Sequence, residues 1–145
     1  MTRSKVSSLL AGAAIATMLA SPALAEMVKF SATMDAAQEV PPTSSSGKGT
    51  ADISFDTESK TLEWTLDYSG LSGDASAAHF HGPAAAGENA GVAVPIPDPA
   101  SGSKGSATLT DAQAADLMAG RYYVNVHTAA NPDGEIRGQV EKAGM

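Results

Sequence analysis

The chain predicts an all-β antiparallel fold of about eight strands, a sandwich or barrel, with one short helix in a connection. Three observations carry this expectation. Short segments rich in β-branched and aromatic residues alternate with Gly, Pro, Ser and Asp at the spacing of strand and turn. Leu62, Trp64, Leu66 and Tyr68 alternate with Glu63, Thr65 and Asp67, the period-two pattern of a half-buried strand anchored by an indole. Only one segment carries a good helix signal, and it is too short to form a layer.

Residues 1–25 stand apart from the domain. Arg3 and Lys5 make a basic start, Val6 to Ala20 is apolar, and Ala23-Leu24-Ala25 is a small-x-small cleavage site. A secretory signal peptide cut after Ala25 is expected, and with it a periplasmic or secreted destination. Its apolar run is too short for a membrane span, and no later segment is long or apolar enough to be one. Removing those 25 of the 145 residues leaves 120, enough for one domain (26–145) with a single two-layer core.

Strands are expected near Val28–Met34, Gly49–Asp56, Thr61–Ser69, Ala75–His81, Val92–Ile96, Ser103–Leu109, Tyr122–His127 and Glu135–Glu141. Gln38-Glu39-Val40-Pro41-Pro42 ends the first of them, because proline cannot continue a ladder; a plain strand exit is the leading reading and the edge of a binding surface the other. Pro41-Pro42 with Ser44–Ser46 marks a loop, and Pro83–Gly91 marks another. Thr110 and Gln113 form a capping box, Ala114, Ala115, Leu117 and Met118 favour helix, and Gly120 stops it. Asn131-Pro132-Asp133-Gly134 is a turn: proline presets φ, Asn and Asp suit the turn ends, and Gly takes the exit dihedrals. It joins the strand ending at His127 to the strand starting at Glu135 as an antiparallel hairpin.

The composition excludes some partners. Arg3 and Lys5 leave with the leader while all sixteen acids stay, so the net charge moves from −7 to −9. That balance argues against nucleic acid and against anionic lipid. The chain has no cysteine, so the exported domain is held by core packing, with a metal as a second means. No phosphate-cradling loop or dinucleotide fingerprint is present.

The chemistry-bearing residues are the three histidines, confined to His79-Phe80-His81 and Val126-His127-Thr128. In a strand, His79 and His81 share one face, opposite Ala78, Phe80 and Gly82. In the hairpin, Tyr122, Val124 and Val126 take the core face, while Tyr123, Asn125 and His127 take the other. Ile136 and Val140 suit the core, so Glu135, Arg137 and Gln139 point with Asn125 and His127. If the two histidine-bearing strands are neighbours, His79, His81 and His127 form a half-shell of imidazoles suited to Cu or Zn, copper leading on intrinsic affinity. Asn125, Glu135 and Arg137 are the candidate partners around it, and Glu135 with Arg137 also reads as an exposed i,i+2 salt bridge contributing at most about 1 kcal/mol.

Several stretches resemble the CHRD domain family: Gln38-Glu39-Val40-Pro41-Pro42, Gly70-Leu71-Ser72-Gly73, residues 78–83, residues 117–128 and residues 131–138. The resemblance implies an extracellular Greek-key β-sandwich, superoxide-dismutase-like or immunoglobulin-like, and little chemistry. A weaker likeness is to copper–zinc superoxide dismutase, whose sandwich holds copper with an H-x-H strand and a later strand histidine beside an arginine. That likeness implies copper on His79, His81 and His127, with Arg137 as the neighbouring cation. The chain lacks the bridging histidine, the zinc-ligand set and the disulfide, so dismutase activity is not implied.

The functional expectation is an exported protein that binds one transition-metal ion through His79, His81 and His127 for buffering, delivery or a redox accessory role. No catalytic residue is assigned: a zinc-activated water would need a general base and a substrate pocket that the chain does not otherwise signal. The competing expectation is an adhesion or ligand-binding module for another extracellular protein, in which the histidines brace the Pro83–Gly91 loop and the 131–134 turn.

Overall fold

The computed structural model describes residues 12–144. Residues 12–26 carry no helix or strand and are exposed; the basic start of the expected leader lies outside the described residues. The domain then follows as β1 (Met27–Asp35), a 3₁₀ turn (Ala36–Gln38), β2 (Lys48–Asp56), β3 (Thr61–Ser69), β4 (Ala75–His81), β5 (Val92–Ile96), β6 (Ser103–Thr108), α1 (Asp111–Met118), β7 (Tyr123–Thr128), β8 (Ile136–Gln139) and β9 (Glu141–Lys142).

All pairings are antiparallel, and the strands run in the order β5-β4-β7-β8-β1-β2-β3-β6, with β9 pairing to β1. The non-sequential neighbours β3·β6, β4·β7 and β8·β1 are Greek-key crossovers. The sheet curls until its ends face each other over one core. Trp64 of β3 and Phe80 of β4 are far apart in strand order, yet their rings meet edge to face at 5.3 Å. Around them lie Phe30, Ile53, Phe55, Leu62, Leu66, Val124, Val126 and Ile136, all buried. The expected all-β fold with one short helix is what the structure shows.

Helix α1 begins as its capping box dictates: Thr110 accepts from the Gln113 backbone, and the Gln113 side chain accepts in return from the Thr110 N–H. Gly120, at φ 73°, ends it. Gln113 also donates to the Ala93 carbonyl at 3.0 Å, satisfying one carbonyl on the outer edge of β5. The last expected strand is split. Val140 turns its N–H to the Tyr122 carbonyl, and Glu141–Lys142 cross over to pair with Ser31 and Phe30 of β1.

Two loops matter for the site. Residues 36–47 and 82–91 fold back over the outer face of β4, β7 and β8, tied together by the Asn89 amide donating to the Val40 carbonyl at 3.0 Å. The first loop is not the plain strand exit expected of Gln38–Pro42. Asp35 caps the 3₁₀ turn by accepting from the Gln38 N–H, and Glu39 leaves that turn buried.

Candidate metal centre

The neighbour relation that face periodicity alone leaves open is present: β4 pairs with β7. In register, Ala77 opposes His127, His79 opposes Asn125 and His81 opposes Tyr123. His79, His81 and His127 therefore stand on one face, and their ligand atoms all lie within 4.8 Å of one another. Nδ1 of His79 is 3.1 Å from Nε2 of His127. A single ion with bonds of about 2.1 Å bridges donors up to about 4.2 Å apart, so the group comes within about 0.6 Å of the span one ion can bridge.

The structure corrects the expected exposure of this face. It points away from the core, as the alternation required, but solvent does not reach most of it. His81 and His127 are each 8 % exposed, Asn125 and Arg137 each 2 %, and Glu135 is fully buried. The 82–91 loop provides part of the cover, and it and the 131–134 turn set one tautomer each. Nδ1 of His81 lies 3.0 Å from the Ala90 carbonyl, and Nδ1 of His127 lies 2.8 Å from the Pro132 carbonyl. A carbonyl only accepts, so both Nδ1 atoms carry the proton, and both Nε2 atoms present a lone pair. Burial pushes the His81 pKa down, aided by His127 and Arg137, against the Ala90 and Asn125 contacts that raise it. Burial also lowers His79, with the charges of His127 and His81 acting the same way. Neutral imidazole, the ligand form, is favoured at both.

Asn125 stands at the centre. Its Oδ1 is 2.9 Å from His81 Nε2 and 3.0 Å from His127 Nε2. Behind it is Glu39, which sequence reasoning left as a strand-exit residue. Glu39 is 6 % exposed, and its Oε1 has no hydrogen-bond partner. Burial raises its pKa, against the charge of Arg137 and the amide of Asn125. Gly134, at φ 127°, makes this approach possible: a Cβ there would collide with the Glu39 carboxyl and sit 2.7 Å from Asn125 Nδ2.

Glu135 and Arg137 do not form the expected exposed ion pair. Both are buried and each binds elsewhere: Arg137 to the 82–91 loop, Glu135 to Ser72 and to Thr128 and Asn131 beside the turn. Arg137 Nη1 donates to Asn89 Oδ1 at 2.9 Å, and Nη2 donates to the Glu88 carbonyl. Its guanidinium lies 3.4 Å above the Tyr123 ring, and Tyr123 stacks on His81 at 4.8 Å with nearly parallel planes. Arg137 thus clamps the 82–91 loop and backs His81 through an aromatic ring, instead of standing beside the histidines as a free cation.

Glu135 touches no histidine. It accepts from the Ser72 N–H at 2.9 Å, the Ser72 hydroxyl, Asn131 Nδ2 at 2.7 Å and the Thr128 hydroxyl at 3.1 Å. Burial works against its ionisation, but these four donors hold its carboxyl below the usual range. By fixing Asn131 it steadies the turn whose Pro132 carbonyl orients His127. A cleft of about 300 Å³ opens between the two loops over Glu39, Arg137 and Gln139. A larger groove, about 520 Å³, lies on the far side over Lys29, Asp52, Glu63 and Lys104, away from the histidines.

Among known proteins, the model of the family described as CHRD domain matches residues 30–140. No curated protein and no solved structure matches the chain.

Proposed function

The chain belongs to the CHRD domain family, and from that premise we propose that it is an exported protein binding one transition-metal ion, copper in preference to zinc, through His79, His81 and His127. The role is metal buffering, delivery or a redox accessory function. One observation carries the reading: two imidazoles whose Nδ1 protons are committed to backbone carbonyls aim their Nε2 lone pairs into a shared buried space, with a third ring 3.1 Å from one of them. Fixing the outer nitrogen so that the inner one is free is how proteins orient metal-binding histidines. The half-exposed His79 supplies the entry side. The basic start at Arg3 and Lys5, the apolar stretch after it and the small-x-small pattern at Ala23–Ala25 support export.

Titration of the purified protein with Cu(II) and with Zn(II) tests this. One tight equivalent is expected, and the triple variant His79→Ala, His81→Ala, His127→Ala should lose it while keeping the β-rich circular dichroism. Retention of the equivalent in the triple variant defeats the site. No uptake near neutral pH defeats the metal reading and leaves an extracellular protein-binding module as the function.

A further inference from the structure

Resting on the three-histidine reading, we infer that Asn125 is a fourth ligand: its side-chain oxygen completes an N₃O donor set that selects Cu(II) over Cu(I).

The first argument is a conflict of acceptors. Because Ala90 and Pro132 claim the Nδ1 protons, His81 Nε2 and His127 Nε2 both face Asn125 Oδ1 with lone pairs, at 2.9 and 3.0 Å. Three acceptors at such spacing, on residues almost wholly buried, repel one another unless a proton or a metal ion lies among them. A metal ion removes the conflict by taking all three lone pairs.

The second argument is spacing. The sequence of contacts His79 Nδ1, His127 Nε2, Asn125 Oδ1, His81 Nε2 runs in steps of 3.1, 3.0 and 2.9 Å. Adjacent ligands at right angles, with bonds of about 2.1 Å, are about 3.0 Å apart, whereas tetrahedral neighbours are about 3.4 Å apart. These three spacings match the edges of a tetragonal N,O site, the geometry Cu(II) prefers, and an amide oxygen is a poor ligand for the softer Cu(I).

The third argument is support from behind. The Glu39 carboxyl and the Asn125 Nδ2 meet over the bare Cα of Gly134. A carboxyl group standing beside the amide nitrogen favours the orientation in which the amide oxygen faces the rings. A carboxylate behind a metal-bound imidazole acts in the same way.

The test is the copper reduction potential of the full chain, read from separate Cu(II) and Cu(I) competition titrations. Asn125→Leu should weaken Cu(II) by about 100-fold and leave Cu(I) within about threefold; that ratio raises the potential by about 120 mV at 59 mV per decade. A structural role alone weakens both oxidation states equally, so an unmoved potential overturns the proposal. Because a buried Leu can disturb folding, Asn125→Asp is the second arm. It keeps the oxygen and adds charge, so Cu(II) should bind at least about tenfold tighter and the potential should fall. An unchanged potential in that variant also overturns the proposal. If the Leu variant keeps one copper equivalent but the potential stays put, the fourth ligand is wrong and the three-histidine site survives. If the unaltered chain takes no copper, both fail.

Discussion

Along β1, β2 and β3, buried and outward-facing residues alternate over nearly the whole strand, whereas every residue of β7 is buried, as are Ile136, Arg137 and Gly138 of β8. The strand period is the same in both regions. What differs is the cover: the outer face of β1–β3 meets water, while residues 36–47 and 82–91 lie over β4, β7 and β8. A polar side chain on the first face is solvated. On the second it must find a partner inside the protein, because an unsatisfied buried polar group costs about 1–3 kcal/mol. His81, His127, Asn125, Arg137 and Glu135 are therefore held in one arrangement each, and rigid, desolvated donors are what a metal site requires.

The largest effect that separates the regions is in the core under the solvated face. Trp64→Ala removes the ring that meets Phe80, and should lower the unfolding free energy by about 3–5 kcal/mol in urea titration. Metal uptake per folded molecule should be unchanged. A loss of metal stoichiometry in the folded fraction would break the separation between core and covered face.

Next is the clamp. Arg137→Leu keeps bulk on Tyr123 but loses the bonds to Asn89 and the Glu88 carbonyl, and should cost about 2–3 kcal/mol. Amide hydrogen exchange should speed up in residues 83–91 and stay slow in β1–β3. Uniform acceleration through both regions would show that Arg137 supports the whole sheet and not its cover.

The strands, the helix with its cap and the 131–134 turn were legible because each has a local rule: alternation, a capping box, turn chemistry. So was the shared face of His79 and His81. Two things were not. Periodicity tells which face a side chain takes but not which strand lies beside it, so the pairing of β4 with β7, across the intervening β5, β6 and α1, could only be posed as a condition. Nor does a polar face disclose that it is covered, since the covering loops are Ala-, Gly-, Pro- and Ser-rich stretches without a period. That is why Arg137 and Glu135 read as an exposed pair. Glu39 was missed for the same reason: a lone acid between Gln38 and Val40-Pro41 looks like any solvated loop residue until the loop is folded over Asn125.

Glu135 sharpens the comparison through pH. Its folded pKa lies below the ordinary glutamate value, so the unfolded chain takes up a proton first on acidification. The stability it contributes is fully present above about pH 4.3 and is lost as pH falls through the lower folded value. Glu135→Gln should cost about 1–2 kcal/mol at neutral pH and narrow to near zero at the acid end of that window. A gap that stays constant from pH 7 down to pH 3 would mean that the four donors do not hold the ionised form.

The smallest expected effect is a control on the open face, and it bears on the argument as much as the largest. Glu63 faces outward from a central strand, between Ser54 of β2 and Ser106 of β6, as Asn125 does between His79 of β4 and Arg137 of β8. The two positions have the same place in the sheet's geometry and opposite surroundings: Glu63 is exposed, Asn125 is enclosed. Glu63→Ala should therefore change stability by no more than about 0.5 kcal/mol and leave copper affinity unchanged. If that substitution cost as much as Arg137→Leu, strand position alone would explain the sensitivity of β7 and β8. The loops over them would then lose their assigned role in making a polar face into a site.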